Sequence, residues 1–252
     1  MNLLTELGIF GFFLVFTRLG ACFMVAPLFG GQTPIQVRVG LAGAIAFALT
    51  PLLAPKIGGV PPDFYTFVTR VGHEVLVGLI LGSCLQMLLL AFQAAGSFID
   101  LQIGLGSAQI LNPMTQQAVT LFAQFKYWLA LVLLLMMNGH HMMIQGLVSS
   151  YDLAAGPGQY AVVEGLLPLI NKMGLLCLQV AAPAAAVCIL VDVAAGVVNK
   201  AVPQMQVFVV GMPAKIVAGI LAIAFGLPAL VTVVQAGVEH SFDAFHHMLR
   251  LN

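Results

Sequence analysis

The chain has 252 residues, 61% of them hydrophobic and only 7% charged, with nine basic side chains balancing nine acidic ones. A soluble domain carries about 25% charged residues, so this chain has too few charges to cover a water-facing surface, and its mean hydropathy of +1.05 agrees. Composition thus argues against a soluble enzyme, a disordered chain and a nucleic-acid binder.

A helix rises about 1.5 Å per residue, so crossing a hydrocarbon layer takes about 20 apolar residues. The first apolar run covers residues 8–29 and is interrupted by Arg18. It reads as a retained span rather than a signal peptide, because Glu6 and no basic residue precede it. Gly30, Gly31 and Pro34 separate it from a second run over 39–55. Pro51, Pro55, Gly58, Gly59, Pro61 and Pro62 are expected to break the second run from a third over 75–99. Residues 101–125 carry no charge but are more polar, with Asn112, Thr115, Gln116 and Gln117, and read as a loop or re-entrant segment. A fourth run covers 127–151, a fifth 173–191 and a sixth 216–238, with Gly156-Pro157-Gly158 and Pro203 among the breaks. The expected fold is all-α, with about six long apolar helices in membrane-protein style. Orientation is unspecified: six simple spans would place Arg38, Lys126, Lys200 and Lys215 on one side against Lys56, Arg70, Lys172 and Arg250 on the other.

Catalytic motifs are missing. His73-Glu74 lacks the second histidine one turn on that a zinc protease needs, and Gly104-Leu105-Gly106-Ser107 completes neither GxSxG nor GxGxxG. No enzyme activity, nucleotide site, metal site or cofactor is expected. His140 and His141 follow Asn138-Gly139 and read as an interfacial turn, since adjacent helical residues point about 100° apart. His240, His246 and His247 belong to a polar, solvated helix end. Cys22, Cys84, Cys177 and Cys188 lie in apolar runs and read as small packed hydrophobes.

Ionisable groups near the apolar runs carry more information, because a charge in hydrocarbon is costly. His73, Glu74, Asp100, Lys126, Asp192 and Lys215 stand at run ends, where snorkelling to the interface is the ordinary outcome. Arg18 stands mid-run, where pairing with a buried acid or an aqueous path is expected. Gly78 and Gly82 form a GxxxG, a pattern that lets helices approach closely and that also arises by chance in a glycine-rich apolar chain. Residues 101–117 have two glycines, a proline and no helical stripe. Such backbone at membrane depth survives only inside protein or against water, so this stretch is either a pore-occluding loop or an ordinary connection.

Residues 199–215, Asn-Lys-Ala-Val-Pro-Gln-Met-Gln-Val-Phe-Val-Val-Gly-Met-Pro-Ala-Lys, resemble the signature of the FliR family. Gly96-Ser97-Phe98-Ile99-Asp100-Leu101-Gln102-Ile103-Gly104 with Asn112-Pro113, and Arg18, Pro27-Leu28-Phe29, Pro34 and Arg38, are similar to the same family, so the resemblance covers nearly the whole chain. It implies a core subunit of the type III protein export gate in the bacterial inner membrane, at the flagellar basal body. FliP-like and FliQ-like subunits would assemble with it around a pore for unfolded polypeptides, with FlhB-like and FlhA-like proteins and membrane lipid as further partners and no nucleic acid. It also implies a FliP-like part over 1–160 and a FliQ-like hairpin over 161–252. A plug loop would fall within 104–117, where Ile110, Leu111 and Met114 are expected to face the pore and Gln116 and Gln117 its wetter edge. Gly104, Gly106, Asn112 and Pro113 would supply hinge and turn positions. Arg18, Glu74, Asp100 and Asp192 are assigned to buried polar contacts that hold the subunit in its ring. Lys200, Pro203, Gln204, Met205 and Lys215 are assigned to a partner-facing hairpin turn. The alternatives are the corresponding injectisome (SctT-type) subunit, a stand-alone solute transporter, and a scaffold that nucleates the ring without gating it.

Overall fold

The computed structural model describes residues 2–27, 33–104, 121–153, 162–201 and 207–249. Seven helices account for nearly all of them: α1 (Asn2–Val25), α2 (Ile35–Ile57), α3 (Phe64–Ile103), α4 (Leu121–Met136), α5 (Gly139–Leu153), α6 (Val162–Ala201) and α7 (Val207–Leu249). Among the described residues there is no strand. Five of these helices are long and apolar enough to cross a membrane, or six spans result if the bent pair α4–α5 counts as one.

The helix ends follow local chemistry. Pro34, extended at φ −55 and ψ 142, precedes α2, and Gly58 at φ +75 ends it. Gly104 adopts φ +93 just past α3, a left-handed conformation that costs glycine little. Asn138, at φ +58, sits between α4 and α5, and asparagine is among the few residues that tolerate this region.

Several boundaries differ from the sequence expectation. Pro51 and Pro55 lie inside α2 rather than breaking it. Both are exposed, one turn apart, so each removes a backbone hydrogen bond without disturbing the face that packs on α1. The fourth run is not one helix but two, bent by 67° at the Asn138 break. Helices α3, α6 and α7 reach 40, 40 and 43 residues, far beyond the charge-free stretches that marked them. Charges delimit apolar runs, but a helix continues through an isolated charged side chain because its backbone bonds are unaffected. For the same reason Leu101, Gln102 and Ile103 are the last turn of α3 rather than loop.

The chain forms two compact units. The first comprises Met1–Met87, Leu135–Asn171 and Val238–Asn252. In it, Gly11 faces Ile57 and Thr50 while Gly43 faces Phe16, so α1 and α2 run antiparallel. Gly78 faces Arg18 and Ala21, and Gly82 faces Cys22 and Val25, so α3 runs parallel to α1. The GxxxG therefore packs within the chain: a Cβ at Gly78 would collide with the Arg18 carbonyl. Around this seam Leu14, Leu19, Phe23, Val77, Leu81 and Leu85 are buried, the last three spaced four residues apart along one helix face.

The second unit comprises Leu88–Leu134 and Lys172–Gly237. Cys188 lies against Gly219 and Ala195 against Gly211, so α6 and α7 form an antiparallel hairpin. Lys215 and Asp192 join the same two helices at 2.7 Å. Gly96 of α3 abuts Ala123 at the start of α4 so closely that a Cβ there would meet backbone.

Candidate functional site

Arg18 is 1% exposed in the middle of α1. Its Nε donates to Glu74 Oε2 of α3 at 2.5 Å, and an NH1 hydrogen donates to Ser150 Oγ of α5 at 2.6 Å. The Ser150 hydroxyl in turn donates to the Leu147 carbonyl at 2.6 Å. The Tyr151 hydroxyl donates to the same Glu74 oxygen at 3.1 Å, and the guanidinium carbon lies 3.6 Å from the Tyr151 ring centroid, a cation–π placement. One buried ion pair thus ties three helices of the first unit. Ser150 and Tyr151 were not singled out from the sequence. They lie 132 and 77 residues from the groups they meet, and no local pattern marks such pairings.

Asp100 is fully buried on α3. Its two carboxylate oxygens accept from the backbone N–H groups of Phe122 and Ala123 at 3.2 and 3.0 Å. These are among the first amides of α4, which lack partners inside their own helix, and the positive end of the helix dipole favours the anion. Asp100 therefore fastens the end of α3 to the start of α4, the two helices that the 105–120 segment joins. That segment lies outside the described residues, and with it Gly106, Ile110, Leu111, Asn112, Pro113, Met114, Gln116 and Gln117 of the expected plug. Gly104 stands at its near edge, where its N–H donates to the Asp100 and Leu101 carbonyls, both at 3.2 Å.

The run-end residues do not behave alike. Glu74, Asp100 and Lys126 are buried rather than snorkelling, because α3 and α4 continue past the apolar runs and carry these groups into helix–helix contacts. Asp192 departs from the expectation of burial. Its side chain is 55% exposed beside Lys215, since in this chain α7 covers only one side of α6 there. Lys200 is exposed in the last turn of α6, while Pro203, Gln204 and Met205 lie outside the described residues. His140 and His141 stand at the α4–α5 bend with ring centroids 4.3 Å apart. His246 bonds back to the Phe242 carbonyl at 2.9 Å.

Buried polar contacts thus hold α3 at Glu74 and at Asp100, and α6 and α7 present bare apolar faces. Leu190, Val193 and Val197 of α6 and Leu221 and Phe225 of α7 are all more than half exposed, a surface that calls for apolar neighbours.

Known proteins resemble this chain over most of its length. A family model described as bacterial export proteins, family 1, matches residues 9–241. The flagellar biosynthetic protein FliR of Bacillus subtilis is 33% identical, the alignment covering 95% of each chain. The protein of the same name from Caulobacter vibrioides is 30% identical over 92% of this chain and 94% of its own length. Yop proteins translocation protein T of Yersinia pestis is 25% identical over 80% of each.

Proposed function

The chain belongs to the bacterial export proteins, family 1, and on that footing we propose that it is a core subunit of the flagellar type III protein export gate in the inner membrane. The observation that carries this reading is the end-to-end likeness, 33% identical over 95% of both chains, to a flagellar biosynthetic protein. FliP-like and FliQ-like subunits cover its bare apolar faces and close a ring with it, and FlhB-like and FlhA-like proteins act at that ring. The first part, residues 1–160, stands in for a FliP-like subunit, and residues 161–252 for a FliQ-like hairpin with its partner-facing turn at 200–215. The lower likeness to a Yersinia translocation protein favours the injectisome as the second reading.

The gate passes unfolded polypeptides and makes or breaks no bond, so its task is to stay shut to ions between substrates. Residues 104–117 plug the pore. Ile110, Leu111 and Met114 line a constriction narrow and apolar enough to exclude water, and so ions. The Asp100 tie fixes both ends of this loop, so that opening displaces the loop and leaves the helices in place. Deletion of residues 108–114 tests this. A plug predicts an assembled complex with raised ion conductance across the membrane and continued export. Unchanged conductance in an assembled, exporting complex would leave the segment an ordinary connection and the chain a scaffold.

A further inference from the structure

The second unit contains two acidic residues, Asp100 and Asp192, and four basic ones, Lys126, Lys172, Lys200 and Lys215. Both acids are committed, Asp100 to the Phe122 and Ala123 amides and Asp192 to Lys215. Lys172 and Lys200 are exposed. Lys126 is 3% exposed, and its ammonium reaches the Val180 carbonyl at 3.4 Å, the long limit of a hydrogen bond. Among the described residues no carboxylate pairs with it, and the sequence of residues 105–120 contains no acid. An ammonium carries three donors, and a buried charge without a partner is strongly unfavourable.

Lys126 lines a small, partly open cleft where α4, α6 and α7 meet. Pro183, Ala184, Ala222, Gly226 and Ala229 form much of its wall, and walls of such small residues let a helix backbone approach closely. Besides Lys126, the cleft offers one polar side chain, Gln179. Val180 and Gly226 also lie near the midpoints of α6 and α7, about 30 Å from the helix ends at 1.5 Å per residue, so an occupant that follows the helix axes has length to pack against.

We infer that this cleft seats an apolar helix of a neighbouring subunit and that a carboxylate on that helix pairs with Lys126. The inference rests on the multisubunit reading above. The test treats the complex purified from its own host with dicyclohexylcarbodiimide, an apolar reagent that condenses a contacting amine and carboxylate to an amide. Peptide mass mapping should find Lys126 joined to an Asp or Glu of another subunit, and the link should vanish in Lys126→Arg. Lys126→Met should enter the complex at least tenfold less than the parent chain, while Lys126→Arg retains most of its incorporation. In the chain purified alone, Lys126→Met should unfold at the same or a higher temperature, because an unpaired buried charge has been removed. Wild-type incorporation of Lys126→Met overturns the inference. So does failure of Lys126 to couple to a neighbouring subunit in an intact complex, or retention of anionic phospholipid that depends on the Lys126 charge. If the parent chain itself binds no apolar partner, the export-gate reading falls first and this inference with it.

Discussion

Arg18 and Glu74 stand 56 residues apart in sequence and form a buried, hydrogen-bonded ion pair. Two ions buried together gain little over a well-packed apolar pair, but removing one of them strands the other. Glu74→Leu is therefore expected to cost about 3–5 kcal/mol, whereas Arg18→Met combined with Glu74→Leu should cost less than either change alone. Thermal unfolding in detergent, followed by circular dichroism, measures both. Glycines separate by their surroundings in the same assay. Gly78→Ala pushes a methyl into the Arg18 carbonyl and should cost about 1–3 kcal/mol. Gly174 has open space around it, so Gly174→Ala should be neutral or gain up to about 1 kcal/mol of helix propensity. At this scale the sequence was legible where one residue sat in the wrong surroundings, as Arg18 does mid-run. It was silent about Ser150 and Tyr151, whose importance comes from an encounter between distant helices.

At the scale of elements, Asp100 acts as the capping residue of a helix to which it does not belong. A cap supplied from another element closes a loop as well as satisfying amides. Asp100→Ala is expected to lose about 1–2 kcal/mol, with exchange protection falling most at the amides of Phe122 and Ala123. Hydrogen exchange resolved to single amides checks this, and a uniform fall across α3 and α4 would count against a local clamp. On the plug reading the same variant also leaks ions, since one end of the loop is no longer held. The apolar runs located the helices, but their ends were misjudged because apolar content marks what a membrane tolerates, not where backbone hydrogen bonds stop. Pro51 and Pro55 misled for a related reason: on an outward face a proline removes one bond and no packing. Asn138 was flagged as a turn, yet only its left-handed backbone showed that it divides the fourth run in two.

At the scale of the whole molecule, a 40-residue helix is about 60 Å long, twice the hydrocarbon thickness of about 30 Å. Tilts in bilayers reach about 40°, too little to submerge such a length. This explains why the basic residues divide evenly between the two sides of a simple six-span scheme: the positive-inside rule reads short loops next to spans, and helices this long place such loops elsewhere. Composition made the membrane class legible from the outset. The unequal helix lengths were not, because hydropathy has no term for what a neighbouring subunit covers.

The bare sides of α6 and α7 carry a further consequence, for the life of the chain in the cell. Leu190 is 68% exposed and Phe225 85%, on helices that outrun the bilayer. On the export-gate reading, a newly made copy meets water along part of that length until its neighbours arrive, and quality-control proteases recognise such surface. Synthesised without its partners, the chain should decay several-fold faster in a pulse–chase experiment than when they are co-expressed. Equal lifetimes would mean that the chain shields itself. With the expected difference, the supply of neighbours, rather than the rate of its own synthesis, sets how much of this protein a cell contains.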